Sequence, residues 1–280
     1  MRLRAVRDGI VLAAVLVSGL LVLQEVSRGW AGDPWLYWAT SLEEMFDGWE
    51  LGSEDSYAYS PAWGQAFYPL TQLPWPVFRI LWLLLGVAAT LWLAVPVGRF
   101  WWPAFVAVCS VEIIAGNIVL PMAVVAVIAF RHPAAWAFML LSKITPGVAL
   151  GWYVGRRDWR SLAIALGATA GIVLVSFLLV PDAWFSWIEV LLANRDTAGV
   201  AAASPLLPLW PRLAAAGVLA VWGGYTGRPW TIPVAMLLGT PHIWLQAFVI
   251  LAAIPRLQLA FEESERTASA LETSERTDVS

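Results

Sequence analysis

Charge is scarce in this chain: Asp, Glu, Lys and Arg together make up 13% of the 280 residues, against 60% hydrophobic residues and a mean hydropathy of +0.70. A soluble domain of this length cannot cover itself with so little polar surface, so a water-exposed globule is excluded and the bilayer is the expected solvent. Cysteine is nearly absent. Cys109 stands alone in an apolar run, which excludes an intrachain disulfide and a cysteine metal cluster and leaves a packing role. Only two histidines occur, His132 and His242. No Walker loop, dinucleotide fingerprint, zinc spacing or nucleophile elbow is found, so an ATP or nucleotide-sugar enzyme has no support, and neither a metal nor a cofactor is expected.

Tryptophan, by contrast, is abundant: nineteen residues, many beside charged or Pro-rich breaks. The indole favours the membrane–water interface, where its ring stays apolar and its N–H wet. Apolar runs fall at 9–24, 76–98, 100–115, 118–130, 133–154, 161–180, 212–225 and 229–254. The first follows Arg2, Arg4 and Arg7 without a small-residue cleavage site after it, and reads as a retained span rather than a signal peptide. An all-α integral membrane domain over 1–260 is expected, followed by a cytoplasmic tail, 261–280, whose six carboxylates against Arg266 and Arg276 predict disorder.

Sidedness follows from the basic residues. A cytoplasmic N-terminus gathers Arg2, Arg4, Arg7, Arg99, Arg131, Arg156, Arg157, Arg160, Arg228 and Arg256 on one side, with Arg28, Arg79, Lys143, Arg195 and Arg212 toward the other. Run 133–154 then has cytoplasmic charge at both ends, so it must enter and return. Its middle, LSKITPG, supplies Pro146 to remove a backbone donor and Gly147 to turn. Run 229–254 repeats the design around GTPHIW, and runs 100–115 and 118–130 form a third pair around EIIAGN. All three apices point outward in this reading. A full span needs roughly 20 residues, so the short arms imply broken or re-entrant helices of the kind that line cavities.

The external loop 27–69 carries Asp33, Glu43, Glu44, Asp47, Glu50, Glu54 and Asp55 against Arg28 alone. Within it, Trp35, Trp38, Leu42, Met45, Phe46 and Trp49 fall on one helical stripe opposite Glu43, Glu44 and Asp47, predicting an amphipathic helix lying in the interface. Asp33 precedes Pro34 at its start. That is an ordinary cap and first position, and also a carboxylate at membrane level. Lys143 is the only charge in its run, and costs about 2.5–3.5 kcal/mol there unless it snorkels or finds an anion such as a phosphate headgroup. Glu112 and Asn117 flank the EIIAGN turn as candidate hydrogen-bond partners for a sugar, or as ordinary turn residues. His242 with Trp244 occupies the GTPHIW apex, and Arg79 stands near the outer end of its run as a partner for a lipid phosphate or a loop carboxylate.

In order and spacing these features resemble the polyprenol-phosphate-mannose-dependent α-(1,2)-mannosyltransferase-like family, membrane glycosyltransferases of the C type (GT-C). The resemblance runs from Asp33 after the first span, through Gly48, YAYSPAWGQAFYPL and LPWPVF, to a Gly-Gln-like turn at Gly116 and Asn117. It continues with KITPG, RRDWR and PHIW. Pro34 directly after the aspartate and Asn117 in place of a glutamine depart from the pattern. The resemblance implies a GT-C-like bundle that transfers a hexose, mannose in this family, from a polyprenyl-phosphate donor to an extracytoplasmic glycan or glycolipid acceptor. Carried over, Asp33 is the general base and Lys143 the group that binds the departing polyprenyl phosphate. Tyr59, Asn117, Glu112, Arg79 and His242 are the further candidate substrate contacts. A transporter or lipid-linked-sugar flippase would also use broken helices and membrane-depth charges, but predicts polar residues at several depths rather than at the outer apices. A non-catalytic subunit of a glycan-assembly complex is the third reading.

Overall fold

The computed structural model describes residues 2–27, 32–42, 45–46, 59–193, 208–241, 243 and 245–278. Among these residues there is no strand, and the helices follow one another as α1 (Arg2–Ser27), α2 (Asp33–Ala39), α3 (Pro61–Thr71), α4 (Trp75–Ala94), α5 (Trp102–Ala115) and α6 (Val119–Ala129). Then come α7 (Trp136–Ser142), α8 (Gly151–Arg156), α9 (Trp159–Leu179), α10 (Pro181–Ala193), α11 (Leu209–Thr226), α12 (Thr231–Gly239) and α13 (Ile254–Asp278). Prolines open several of them: Pro34, Pro61, Pro76 and Pro103 all lie in a first turn, where a missing amide hydrogen costs nothing.

Among the described residues, three helical stretches are long and apolar enough to cross a bilayer: Val6–Gln24 in α1, all of α4, and all of α9. The first and last are only 6% and 11% buried, against 33% for α4. Apolar surface left bare on this scale needs lipid around it, so α1 and α9 form the rim and α4 lies closer to the centre. The centre itself is built from α6, α12 and their broken neighbours, with Leu120, Met122, Met139, Met236 and Ile250 fully buried.

The three expected breaks are present as interruptions. The pair Arg99–Ala115 and Val119–Ala129 bends by 117° at the EIIAGN turn. Run 133–154 splits into α7, an extended Lys143, a 3₁₀ segment Thr145–Leu150, and α8. Run 229–254 splits into α12 and a 3₁₀ segment Leu245–Ala253. These breaks meet one another. A Cβ on Gly239, at the end of α12, would lie 2.7 Å from the Thr145 carbonyl oxygen, so the second and third breaks are in backbone contact that only glycine permits.

Several expectations need correction. The amphipathic helix foreseen to run to Trp49 stops at Ala39, where Thr40 turns extended. Most of its described stripe is covered by protein: Met45 and Phe46 are buried and Trp38 and Leu42 pack on the same core, with Trp35 left 37% exposed, while Tyr37, outside the stripe, is 2% exposed. Tertiary packing against α3 and α4 overrides the interfacial pattern. Helices α3 and α10 were not anticipated, being amphipathic rather than uniformly apolar. The tail foreseen as disordered continues as helix in α13. Phe261 packs edge-on against Phe130 and Trp152, and Glu263 and Glu265 pair with Arg131 at 2.7 Å and Arg156 at 3.6 Å, so a sequence too polar to fold alone is anchored on the bundle through Phe261, with exposed ion pairs along its basic rim. His242, Trp244, Gly48 and Trp49, with the acidic residues Glu43, Glu44, Asp47, Glu50, Glu54 and Asp55, lie outside the described residues.

Candidate active site

The site begins with two glycines. Gly32, before Asp33, has φ +76°, and Gly116, before Asn117, has φ +71°. A Cβ on Gly32 would meet the Ala115 carbonyl oxygen at 2.5 Å, and one on Gly116 would meet Cγ of Pro34 at 2.3 Å. Each glycine therefore supplies both a left-handed turn and the room for the other strand of chain to approach. The start of α2 and the end of α5 are pressed together there. Two side chains from α4 fix the junction: Trp82 Nε1 donates to the Gly116 carbonyl at 2.8 Å and Arg79 Nη2 to the Ile114 carbonyl at 3.1 Å. The arginine meets the carbonyl end of α5, where a helix dipole favours a cation.

This junction delivers Asp33 to Asn117. The Asn117 amide nitrogen donates to Asp33 Oδ2, and the Asn117 amide oxygen accepts both from Lys143 Nζ at 2.9 Å and from the Ile118 amide at 2.8 Å. The amide can only be oriented this way. Reversing it would put an NH₂ group against an ammonium and an N–H, and a carbonyl oxygen against a carboxylate. Asp33 and Lys143, 110 positions apart in the sequence by their numbers, are thus separated by a single side-chain amide. Lys143 reaches it because α7 ends at Ser142 and the extended lysine, whose own amide bonds Met139 O at 2.8 Å, turns out of the helix.

Behind Asp33 lies a packed aromatic wall. Tyr37 Oη approaches Asp33 Oδ2 at 3.5 Å and shares a 3.0 Å hydrogen bond with Tyr59 Oη, and both rings pack against Trp63. Burial, followed by the neighbouring Tyr59 and Asp33, pushes the Tyr37 phenol well above its ordinary range, and burial followed by Asp33 does the same for Tyr59. Both stay protonated and act as neutral hydrogen-bonding groups beside the carboxylate. Glu112, in the last turn of α5, is 1% exposed, and its Oε1 accepts the Val119 amide at 2.9 Å across the break.

Of the residues singled out from the sequence, Asp33, Asn117, Lys143, Glu112 and Tyr59 are gathered in one region and Arg79 braces it from α4. Two important residues went unforeseen. Tyr37 was hidden as a spacer in a helix read for its tryptophans. Arg212 was noted only for its side of the membrane, yet it is 5% exposed and donates to the carbonyls of Leu238 at 3.1 Å, Thr240 at 2.7 Å and Pro241 at 2.9 Å, closing the end of α12 at the third break. The available signal was its position: an arginine opening an otherwise apolar run is rarely idle. A second overlooked signal was the repeated pairing of a glycine with a polar residue, Gly32-Asp33 and Gly116-Asn117.

A helical bundle with several membrane-crossing stretches, in which broken helices bring an amide and an ammonium to a carboxylate at the start of a short helix, has the architecture of a GT-C-type membrane glycosyltransferase. Comparison with known families makes the assignment particular. The model of glycosyltransferase family 87 matches residues 57–272, most of the chain, and the protein belongs to that family. The match begins after α1 and α2, so Asp33 lies outside it. No curated protein and no solved structure gives a match.

Proposed function

We propose that this glycosyltransferase moves a hexose, mannose by the resemblance of its motifs, from a polyprenyl phosphate to a glycan or glycolipid acceptor on the extracytoplasmic face, with both termini in the cytoplasm. The observation that supports it most is the Asp33–Asn117–Lys143 chain of hydrogen bonds. One sugar phosphate is small enough to touch both ends. In the proposed reaction the acceptor hydroxyl oxygen attacks the anomeric carbon and its proton passes to Asp33. The bond from that carbon to the phosphate oxygen breaks, and polyprenyl phosphate leaves with the electron pair. Lys143 stabilises the charge that develops on the phosphate, a role that depends on the ammonium being fixed beforehand. Arg79, Asn117, Tyr59 and His242 are proposed to orient the donor and acceptor around this axis.

Purified protein supplied with polyprenyl-phosphate-mannose and a membrane glycolipid fraction tests the reading. Asp33→Asn and Asp33→Ala are each expected to lower the transfer rate by about 10²- to 10⁴-fold, the usual contribution of a positioned base. Transfer that survives both substitutions would remove Asp33 from the role. Counterflow of unaltered donor into proteoliposomes, without product, would replace transfer by transport.

A further inference from the structure

Glu112 holds one interaction that the proposed chemistry does not use. Its carboxylate caps the first turn of α6, where Oε1 accepts the Val119 amide and the Leu120 amide faces the same group, while Oε2 is buried and has no hydrogen-bond partner of its own. A buried acceptor left open is rare in a folded protein and calls for an occupant. Beside it lies a cavity of about 10 Å³ lined by Trp82, Glu112, Gly116, Asn117, Leu120 and Pro121. That is room for about one water-sized group, not for a sugar ring. The other polar groups on the wall are already committed: the Trp82 N–H to Gly116 O, and the Asn117 amide to Asp33, Lys143 and the Ile118 N–H. The open acceptor is Glu112 Oε2.

Asn117 lines this hole and also bridges Asp33 to Lys143. A sugar lying along that bridge would touch the same amide that walls the hole. The structure assigns Glu112 to a single-hydroxyl subsite: Oε2 accepts one hydroxyl of the transferred hexose, and the small cavity admits that hydroxyl while the ring stays outside. This rests on the transfer reaction proposed above. It makes Glu112 a specificity determinant, because a carboxylate built to receive a hydroxyl discriminates strongly against a donor lacking it.

The test uses the full-length protein with polyprenyl-phosphate-mannose and its 2-, 3-, 4- and 6-monodeoxy forms. In the native protein one deoxy donor is expected to lose about tenfold to a hundredfold in kcat/KM relative to the others, as for a hydrogen bond to a charged group. Glu112→Gln turns the Oε2 acceptor into an NH₂ donor that meets the same hydroxyl in a weaker, neutral hydrogen bond, so the penalty on that deoxy form should shrink to about tenfold or less, with melting unchanged because Oε1 can still accept the Val119 amide. An equal penalty for every deoxy donor in the native protein would overturn the subsite and leave a buried water at Oε2, and this holds even if the variant does not fold. A native protein active on the intact donor but blind to all four deletions thus refutes the subsite alone. A native protein that uses no polyprenyl-phosphate donor refutes the transfer reading and the subsite with it.

Discussion

Replacing Gly116 by alanine tests the junction on which the whole site depends. Two costs add. An L-residue at φ +71° pays roughly 1–2 kcal/mol for the left-handed backbone. The new Cβ would also lie 2.3 Å from Cγ and 2.4 Å from Cδ of Pro34, a rigid ring that cannot swing aside, so backbone must move at a further cost of about 1–3 kcal/mol. The chain can respond in two ways: hold its geometry and lose roughly 2–5 kcal/mol of stability by these figures, or let α2 retreat and carry Asp33 away from Asn117. A displacement near 1 Å costs about 10²-fold in rate. Thermal unfolding in detergent and sugar-transfer kinetics, measured together, cover both responses. Gly167→Ala is the control, since nothing lies within 4 Å of a Cβ there and it sits inside α9; it is expected to be neutral or to stabilise by up to about 1 kcal/mol. Gly116→Ala with native melting and kcat/KM within about threefold of native would refute the reasoning.

Other substitutions separate the parts of the site. Lys143→Met removes the ammonium and is expected to lower kcat/KM for the proposed polyprenyl-phosphate donor by about tenfold to a hundredfold, with Lys143→Arg intermediate; donor kinetics unaltered in both would detach Lys143 from the phosphate. Arg212→Met takes the donor from three carbonyls at the third break and is expected to cost about 3 kcal/mol or more, since each buried acceptor left bare costs about 1–3 kcal/mol; calorimetric melting at the native temperature would show those carbonyls to be satisfied otherwise. Glu263→Gln, by contrast, breaks an ion pair whose side chains are 51% and 55% exposed, and its effect on melting should stay below about 1 kcal/mol. A larger loss would mean that α13 is held mainly by that pair rather than by Phe261.

Much of the bundle could be read from the chain because a membrane span is a local property. Apolar length fixes α1, α4 and α9, and the arginine distribution located all three interrupted runs. The loop before α3 was harder. The stripe of Trp35, Trp38 and Met45 reports only which residues avoid water, and cannot distinguish lipid from protein as the refuge; α3 and α4 supplied the latter. The polar tail misled for the complementary reason, since its helix is anchored by Phe261 on Phe130 and Trp152, with Arg131 and Arg156 beside it, all far away in sequence. Asp33, Asn117 and Lys143 stood out individually as polar residues in apolar surroundings. Their assembly through one amide did not, because it depends on a left-handed turn at Gly116 and an extended residue at 143, and backbone angles leave only a glycine as their trace.

The broken helices bear on how the molecule is made. With nine residues, α12 is roughly 14 Å long, less than half the hydrocarbon thickness of about 30 Å. Such a segment cannot settle in a membrane by itself, because the peptide groups at its end have no donor until Arg212 arrives and no backbone neighbour until the Thr145 segment is beside it. The long helices α1, α4 and α9 can insert first and independently; the short ones must wait for each other. Catalytic competence is then the final stage of biogenesis, and mild detergent stress should abolish sugar transfer while helical circular dichroism is still largely intact. Simultaneous loss of both signals would argue for concerted assembly instead.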